Sequence, residues 1–383
     1  MTEWLHKPIE SAHREDIQRA QDWQNQLTKP QGSLGDLETI AVKIAALQKT
    51  LNPSVNQAQI IIYAADHGVA RENVSAFPQA VSAEMVKNFS SGGAAICVLS
   101  RQHQLPLQIV NLGLVSELPR LDSVEQQIIA PGTQNFLRQR AMTTAQLEQA
   151  FSIAKDKVEQ AAASGCELLI AGEMGIANTS SATALVCALM SLNPEKMTGL
   201  GTGLDEIGVR QKIQVIQNAL DKHQDSLNTP MDILIALGGF EIAALIATYI
   251  RCAQKGIIAV IDGYICSVAA LFAIQINAQC KTWLIFSHQS AERGHKIVLE
   301  LLEVKPLLQL DMRLGEASGA ALVYPLIRSA CLLHSEMASF TSASVSEKLT
   351  QDSLMTEGSL PAEGSLPAEG SLPAESSLPA EGS

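Results

Sequence analysis

The sequence predicts an α/β protein: a doubly wound, mostly parallel six-stranded sheet with helices on both faces, plus a small helical domain from the N- and C-terminal segments. Three observations carry this. Short unbroken runs of large apolar residues recur from residue 59 onward, each ending in a Gly or a polar residue and followed by a helical or small-residue stretch. Such runs, separated by helices, mark parallel strands buried on both faces. The chain of 383 residues is 46% hydrophobic, enough for a large interior. Finally, the two flanks of the strand region carry apolar residues at helical rather than strand spacing.

In chain order, residues 3–50 read as helical, with apolar positions at Ile17, Ala20, Trp23 and Leu27 and again at Leu37, Ile40, Ile44 and Leu47. Between them Lys29-Pro-Gln-Gly-Ser-Leu-Gly is a turn, set by one proline and two glycines. The expected strands are Ile60–Ala65, Leu107–Leu112, Leu168–Ala171, Ile233–Leu237, Ile257–Ile261 and Trp283–Phe286, with helices at Ala80–Leu99, 143–164 and Glu206–Leu220. Ligands of doubly wound sheets bind outside the carboxyl ends of the strands, where Asp66, Glu173, Glu241, Asp262 and His288 fall. The implied organisation is a helical segment over 1–55, a Rossmann-like domain over 56–310, a C-terminal segment over 311–348 that joins the helical domain, and a tail over 349–383. In that tail the hexad Glu-Gly-Ser-Leu-Pro-Ala recurs, a composition that reads as disordered and acidic.

Charge and composition narrow the function. The formal net charge is -12, half of it from the six acids beyond Lys348, and no Lys/Arg block offsets it, which argues against a nucleic-acid partner. Seven scattered cysteines without C-x-x-C read as reduced core residues and point to the cytoplasm. Neither a signal peptide nor a membrane span is legible.

Two Gly/Ser/Thr-rich loops, Gly172–Ser181 and Gly199–Gly203, each precede an expected helix and could present N–H groups to a phosphate, with Lys212 adding a positive charge. Packing glycines would look the same. In Leu314-Gly-Glu-Ala-Ser-Gly-Ala-Ala a single carboxylate, Glu316, stands among small residues ahead of an apolar helix that contains Pro325. It reads either as a working group open to a ligand or as a complement to the helix dipole.

Taken together, Lys29-Pro-Gln-Gly-Ser-Leu-Gly, Asp66-His-Gly-Val, Gly172-Glu-Met-Gly-Ile-Ala-Asn-Thr, Gly238-Gly-Phe-Glu, Asp262-Gly-Tyr, Ser287-His-Gln-Ser-Ala-Glu-Arg-Gly and Leu314-Gly-Glu-Ala-Ser-Gly-Ala-Ala resemble the nicotinate-nucleotide:dimethylbenzimidazole phosphoribosyltransferases, which make the lower-ligand nucleotide of cobalamin. The resemblance spans roughly residues 5–340 and leaves out the hexad tail. It implies transfer of phosphoribose from nicotinate mononucleotide to 5,6-dimethylbenzimidazole with inversion at C1′, giving α-ribazole 5′-phosphate and nicotinate. It also implies no cofactor and no metal, because the pyridine leaves as a neutral ring. Glu316 is then the general base that takes the azole proton, and Glu173, a second carboxylate beside the phosphate cradle, could bind the ribose hydroxyls or stand in weakly as base. Gly175, Ala177, Asn178, Thr179, Ser180, Gly201, Gly203 and Lys212 are the implied phosphate and ribose contacts. Phe77, Met85, Ser290 and Leu314 would line the base slot. His67, His288 and His295 are read as structural or as supports for residues in the site rather than as ligands, since no ligand spacing links them. A homodimer is implied, joined through the helical segments. Transfer onto adenine, a phenol or unsubstituted benzimidazole, or a non-catalytic nucleotide-binding module, are the competing readings.

Overall fold

The computed structural model describes residues 2–201 and 203–346; the hexad tail lies outside them. Two helices open the chain, α1 (Arg14–Gln26) and α2 (Asp36–Leu47). There follow β1 (Ala58–Ala65), α3 (Ala80–Ser91), α4 (Ala95–His103), β2 (Leu107–Gly113), β3 (Val124–Gln126), α5 (Thr144–Ala163) and β4 (Leu168–Met174). After β4 come α6 (Asn178–Met190), α7 (Pro194–Met197), α8 (Glu206–His223), α9 (Pro230–Leu237) and α10 (Phe240–Lys255). The last stretch holds β5 (Ile258–Ile261), α11 (Tyr264–Ile276), β6 (Leu284–Phe286), α12 (Arg293–Leu301) and α13 (Ser318–Glu336). A one-turn helix, α14 (Phe340–Ala343), belongs to a separate unit beginning at Phe340.

The six strands are all parallel, in the order β3-β2-β1-β4-β5-β6. This is the Rossmann order, in which the direction of winding reverses between β1 and β4. Every residue of β4, β5 and β6 is buried, on both pleat faces alike. Helices therefore cover both sides, as the unbroken apolar runs predict.

Three expected elements differ. The run Ile233–Leu237 is the end of a helix rather than a strand. Thr229 and Asp232 form a capping box, with N–H to oxygen distances of 3.1 and 3.2 Å, and Pro230 stands at the first helical position. An apolar run of five cannot tell buried helix from buried strand, and the capping signal just before it decides. The sixth strand is instead Val124–Gln126, a three-residue edge strand too short and too polar to show a pattern. The expected helix Ala80–Leu99 is two helices, because Gly92 closes α3 in the left-handed conformation at φ 79°.

The terminal helices meet as expected. Trp23 Nε1 donates to the His334 carbonyl at 2.7 Å, and Gln24 bonds His334 Nδ1 at 2.6 Å, tying α1 to α13. The Lys29-to-Gly35 turn joins α1 to α2 around a buried ion pair: Lys29 Nζ lies 2.8 Å from Glu38, whose carboxylate also accepts the N–H groups of Gly32 and Leu34. All seven cysteines are buried and unpaired. No helix among the described residues is long and apolar enough to cross a membrane.

Removing one partner of a buried, hydrogen-bonded ion pair leaves the other charge stranded. Glu38→Ala strands the Lys29 ammonium and two turn N–H groups, so urea unfolding should show a loss of about 3 kcal/mol, with the midpoint moved and the slope unchanged.

Candidate active site

At the carboxyl ends of the strands, the reversal between β1 and β4 opens a cavity of about 280 Å³. Its walls come from the turns after β4, β5 and β6, from α3, and from the segment Arg313–Glu316.

β4 delivers Glu173, 5% exposed, and the chain turns through Gly175-Ile176-Ala177 into α6. A Cβ on Gly175 would lie 2.2 Å from the Ala65 carbonyl, so glycine is what lets the ends of β1 and β4 lie side by side. Ala177, the N-cap of α6, is left-handed at φ 75° and offers no side-chain acceptor. The first turn, with Asn178 and Thr179 in the cavity wall, is open to an anion from outside. Lys212 of α8 reaches the same turn, its Nζ donating to Thr179 Oγ1 at 2.8 Å. Burial pulls this ammonium down to about 8, with the Glu292 charge acting upward.

Glu316 is held by unusual backbone. Gly315, Glu316 and Ala317 all have positive φ, at 86°, 59° and 62°; the left-handed region costs a non-glycine residue about 1–2 kcal/mol. The turn fits because of two bare Cα atoms. A Cβ on Gly172 of β4 would lie 2.6 Å from the Ala317 nitrogen, and one on Gly319 would lie 2.1 Å from the His288 ring. Glu316 does not cap α13. The N-cap is Ala317, without a side-chain bond, and the Ala320 N–H donates to Asp262 Oδ1 at 2.9 Å. That leaves the Glu316 carboxylate in the cavity wall with no hydrogen bond from a described residue.

The cavity is acid-rich. Burial, then the charges of Glu241 and Asp262, push Glu173 up to about 8, against the Asn178 amide that donates to it. Burial, then the Asp262 charge, push Glu316 up to about 7. Burial also raises Asp66 and Glu292.

Of the residues expected in the site, Phe77, Met85, Glu173, Gly175, Ala177, Asn178, Thr179, Gly201, Ser290, Leu314 and Glu316 line this one cavity. Lys212 stands behind Thr179 rather than in the wall. Ser180 is fully buried, its Oγ unpartnered among the described residues, and Gly203 lies on an exposed turn. Phe77 and Leu314 are 48% and 55% exposed, so the expected base slot lies at the open mouth. Asp262, Tyr264, His288, Glu292 and Arg313 also line the cavity and were not expected as site residues. Asp262 and His288 were visible as ionisable strand ends and Glu292 lay within the stretch Ser287–Gly294 without a role of its own, whereas Arg313 falls outside every stretch that carries the resemblance.

The histidines divide. His67 pairs with Glu241 at 2.5 Å, both fully buried. His295 accepts the Ser290 N–H on Nδ1, so its Nε2–H donates to Ser267 Oγ, and burial keeps the ring neutral by pulling it down to about 3. Both fit a structural role; His288 instead borders the cavity. No group of three or more His, Cys, Asp and Glu among the described residues is arranged to hold a metal ion.

A carboxyl group raised in the folded state binds its proton more tightly there than in the unfolded chain. The stability this confers is complete below the ordinary carboxylate range and is lost as pH rises through about 7 for Glu316 and about 8 for Glu173. The melting temperature should therefore fall between about pH 5 and about pH 9, and the double variant Glu173→Gln/Glu316→Gln should flatten that decline in a pH series of thermal melts.

A phosphoribosyltransferase family model matches residues 9–345. The chain is 49% identical over 342 residues to the nicotinate-nucleotide–dimethylbenzimidazole phosphoribosyltransferase of Pseudomonas putida (strain W619), covering 89% of this chain and 97% of that protein. It is 52% identical over 324 residues to the enzyme of the same name from Xanthomonas oryzae pv. oryzae (strain PXO99A), covering 85% and 93%. The fold is similar to a crystal structure of that phosphoribosyltransferase from Thermus thermophilus, with a TM-score of 0.82, 37% identity and coverage of 88% and 99%. With the same fold, matched nearly end to end at these identities, the chain belongs to the nicotinate-nucleotide–dimethylbenzimidazole phosphoribosyltransferase family.

Proposed function

We propose that the cavity binds nicotinate mononucleotide and 5,6-dimethylbenzimidazole and transfers the phosphoribosyl group between them with inversion at C1′. The observation that carries the reading is Glu316: a carboxylate in the cavity wall that is not a helix cap, with a proton affinity near neutrality. A base works best when its pKa lies near the working pH. As the azole nitrogen lone pair bonds to C1′, its ring N–H proton passes to Glu316. The C1′–pyridinium bond breaks with its electron pair going to the pyridine nitrogen, and nicotinate leaves with a neutral ring.

The first turn of α6 with Gly175, Ala177, Asn178 and Thr179, the loop at Gly201, and Lys212 behind Thr179 form the phosphate and ribose cradle, while Ser180, buried beneath the turn, and Gly203, on the exposed loop, stand outside the cavity wall. A phosphate beside Lys212 adds to the Glu292 charge in holding the ammonium protonated against burial. Glu173 stays largely protonated at neutral pH, which suits a hydrogen-bond donor to the sugar better than a second base. Phe77, Met85, Ser290 and Leu314 hold the base by contact area. A non-catalytic binder has no use for a buried carboxylate without a countercharge, as at Glu316, which costs free energy.

Glu316→Gln keeps shape but cannot take the proton. Turnover, followed by nicotinate release over a panel of bases with the product mass recorded, should fall about 10²- to 10⁴-fold. Near-wild-type turnover would remove Glu316 from the chemistry, and a preference for adenine or a phenol in the panel would change the acceptor.

We further propose a homodimer in the cytoplasm, without nucleic-acid partners. Of the described residues, 2–55 and 311–339 form its small helical domain and those of 56–310 the sheet domain. Ile17 on α1 and Leu326 and Leu332 on α13 are exposed apolar side chains on those helices, and the seven reduced thiols suit a reducing compartment. Light scattering at micromolar protein should give twice the chain mass; a monomer mass would exclude the dimer.

A further inference from the structure

Asp262 joins the two parts of the site. It follows β5, is 1% exposed and borders the cavity. Its Oδ1 accepts the N–H of Ala320 in the first turn of α13, a cap supplied from the end of β5, the strand beside β4, where Ala317 offers none. It thus pins the helix end directly behind three consecutive left-handed residues. Such backbone persists only where its surroundings over-determine it.

We propose that Asp262 is a positioning residue for the transfer: through the Ala320 N–H it holds the left-handed turn that presents the Glu316 carboxylate, and it borders the same cavity with its own carboxylate. The proposal rests on the reading of Glu316 as the base. The ionisable groups facing Glu316 are Glu173 from β4, Asp262 behind β5, His288 behind β6, Cys97 from α4, and Glu292 and Arg313 across the cavity. Burial, then the charges of Glu241 and Asp262, push Glu173 up to about 8. Burial raises the Cys97 thiol, which stays uncharged. Burial raises Glu292, against the charges of Lys212 and then Arg313. His288 Nδ1 stands 3.8 Å from Asp262 Oδ1 and bonds Ser287 Oγ at 3.0 Å. After burial, the Asp262 charge is what pushes the Glu316 carboxyl upward. A like charge nearby raises proton affinity, and a stronger base takes the azole proton more readily.

Asp262→Asn keeps an acceptor for the Ala320 N–H and removes the charge. The acid limb of kcat/KM should move down by on the order of one pH unit, and the plateau kcat should fall about 3- to 10-fold, with the melting temperature little changed. Asp262→Ala loses the acceptor too and should lower both kcat and melting temperature further. If the Asn variant does not fold, Asp262→Ser supplies an uncharged acceptor for the same comparison. An acid limb and plateau unmoved in the uncharged variant, with Glu316→Gln inactive in parallel, would overturn the positioning role while leaving the base in place. Full turnover in Glu316→Gln would overturn both.

Discussion

The contact on which this site depends is the approach of the backbone at Ala317 to strand β4 over the bare Cα of Gly172. No side chain fits there: a Cβ would come within 2.7 Å of both the Ala317 nitrogen and its Cβ. The approach brings the N-terminus of α13 onto the sheet, forces the turn before it into the left-handed region, and directs the chain so that Glu316 borders the same cavity as Glu173. Gly319 against His288 and Asp262 against Ala320 hold the arrangement from the other side. The strain of the turn is met by packing, a common arrangement where a reactive group must be presented in one orientation.

The electrostatics follow from that crowding. Glu173, Asp262 and Glu316 share one cavity wall, and the buried pair of His67 and Glu241 lies behind it. The acids cannot all ionise at neutral pH, and their proton affinities spread accordingly. The main cationic contribution at the α6 turn is Lys212, itself weakened by burial. This charge pattern suits a substrate that brings a phosphate to one end and a cationic ring to the other.

Much of the fold was legible because the physics is local. Buried parallel strands must be apolar on both faces, and five of the six appeared as unbroken runs. The sixth failed in both directions: Val124–Gln126 is too short to register, and Ile233–Leu237 imitates a strand unless the capping box at Thr229 is given weight. The candidate site was legible through its glycines and its strand-end acids, which are local too. What could not be read was which group caps α13. That depends on Asp262 and Ala320, 58 residues apart, meeting through the tertiary fold, and no spacing in the chain announces it. The inward reach of Glu292 and Arg313 was hidden for the same reason.

The seven cysteines give this molecule a built-in record of its own fluctuations. Each thiol is buried, and an alkylating reagent attacks only a thiolate it can reach. Cys97 sits on α4, Cys187 on α6, Cys252 on α10, Cys266 on α11 beside the cavity, and Cys331 on α13. Modification at each position therefore reports how often that helix opens. The rates, read by mass spectrometry on the unaltered protein, would order the layers of the fold from the most tightly closed to the most readily exposed.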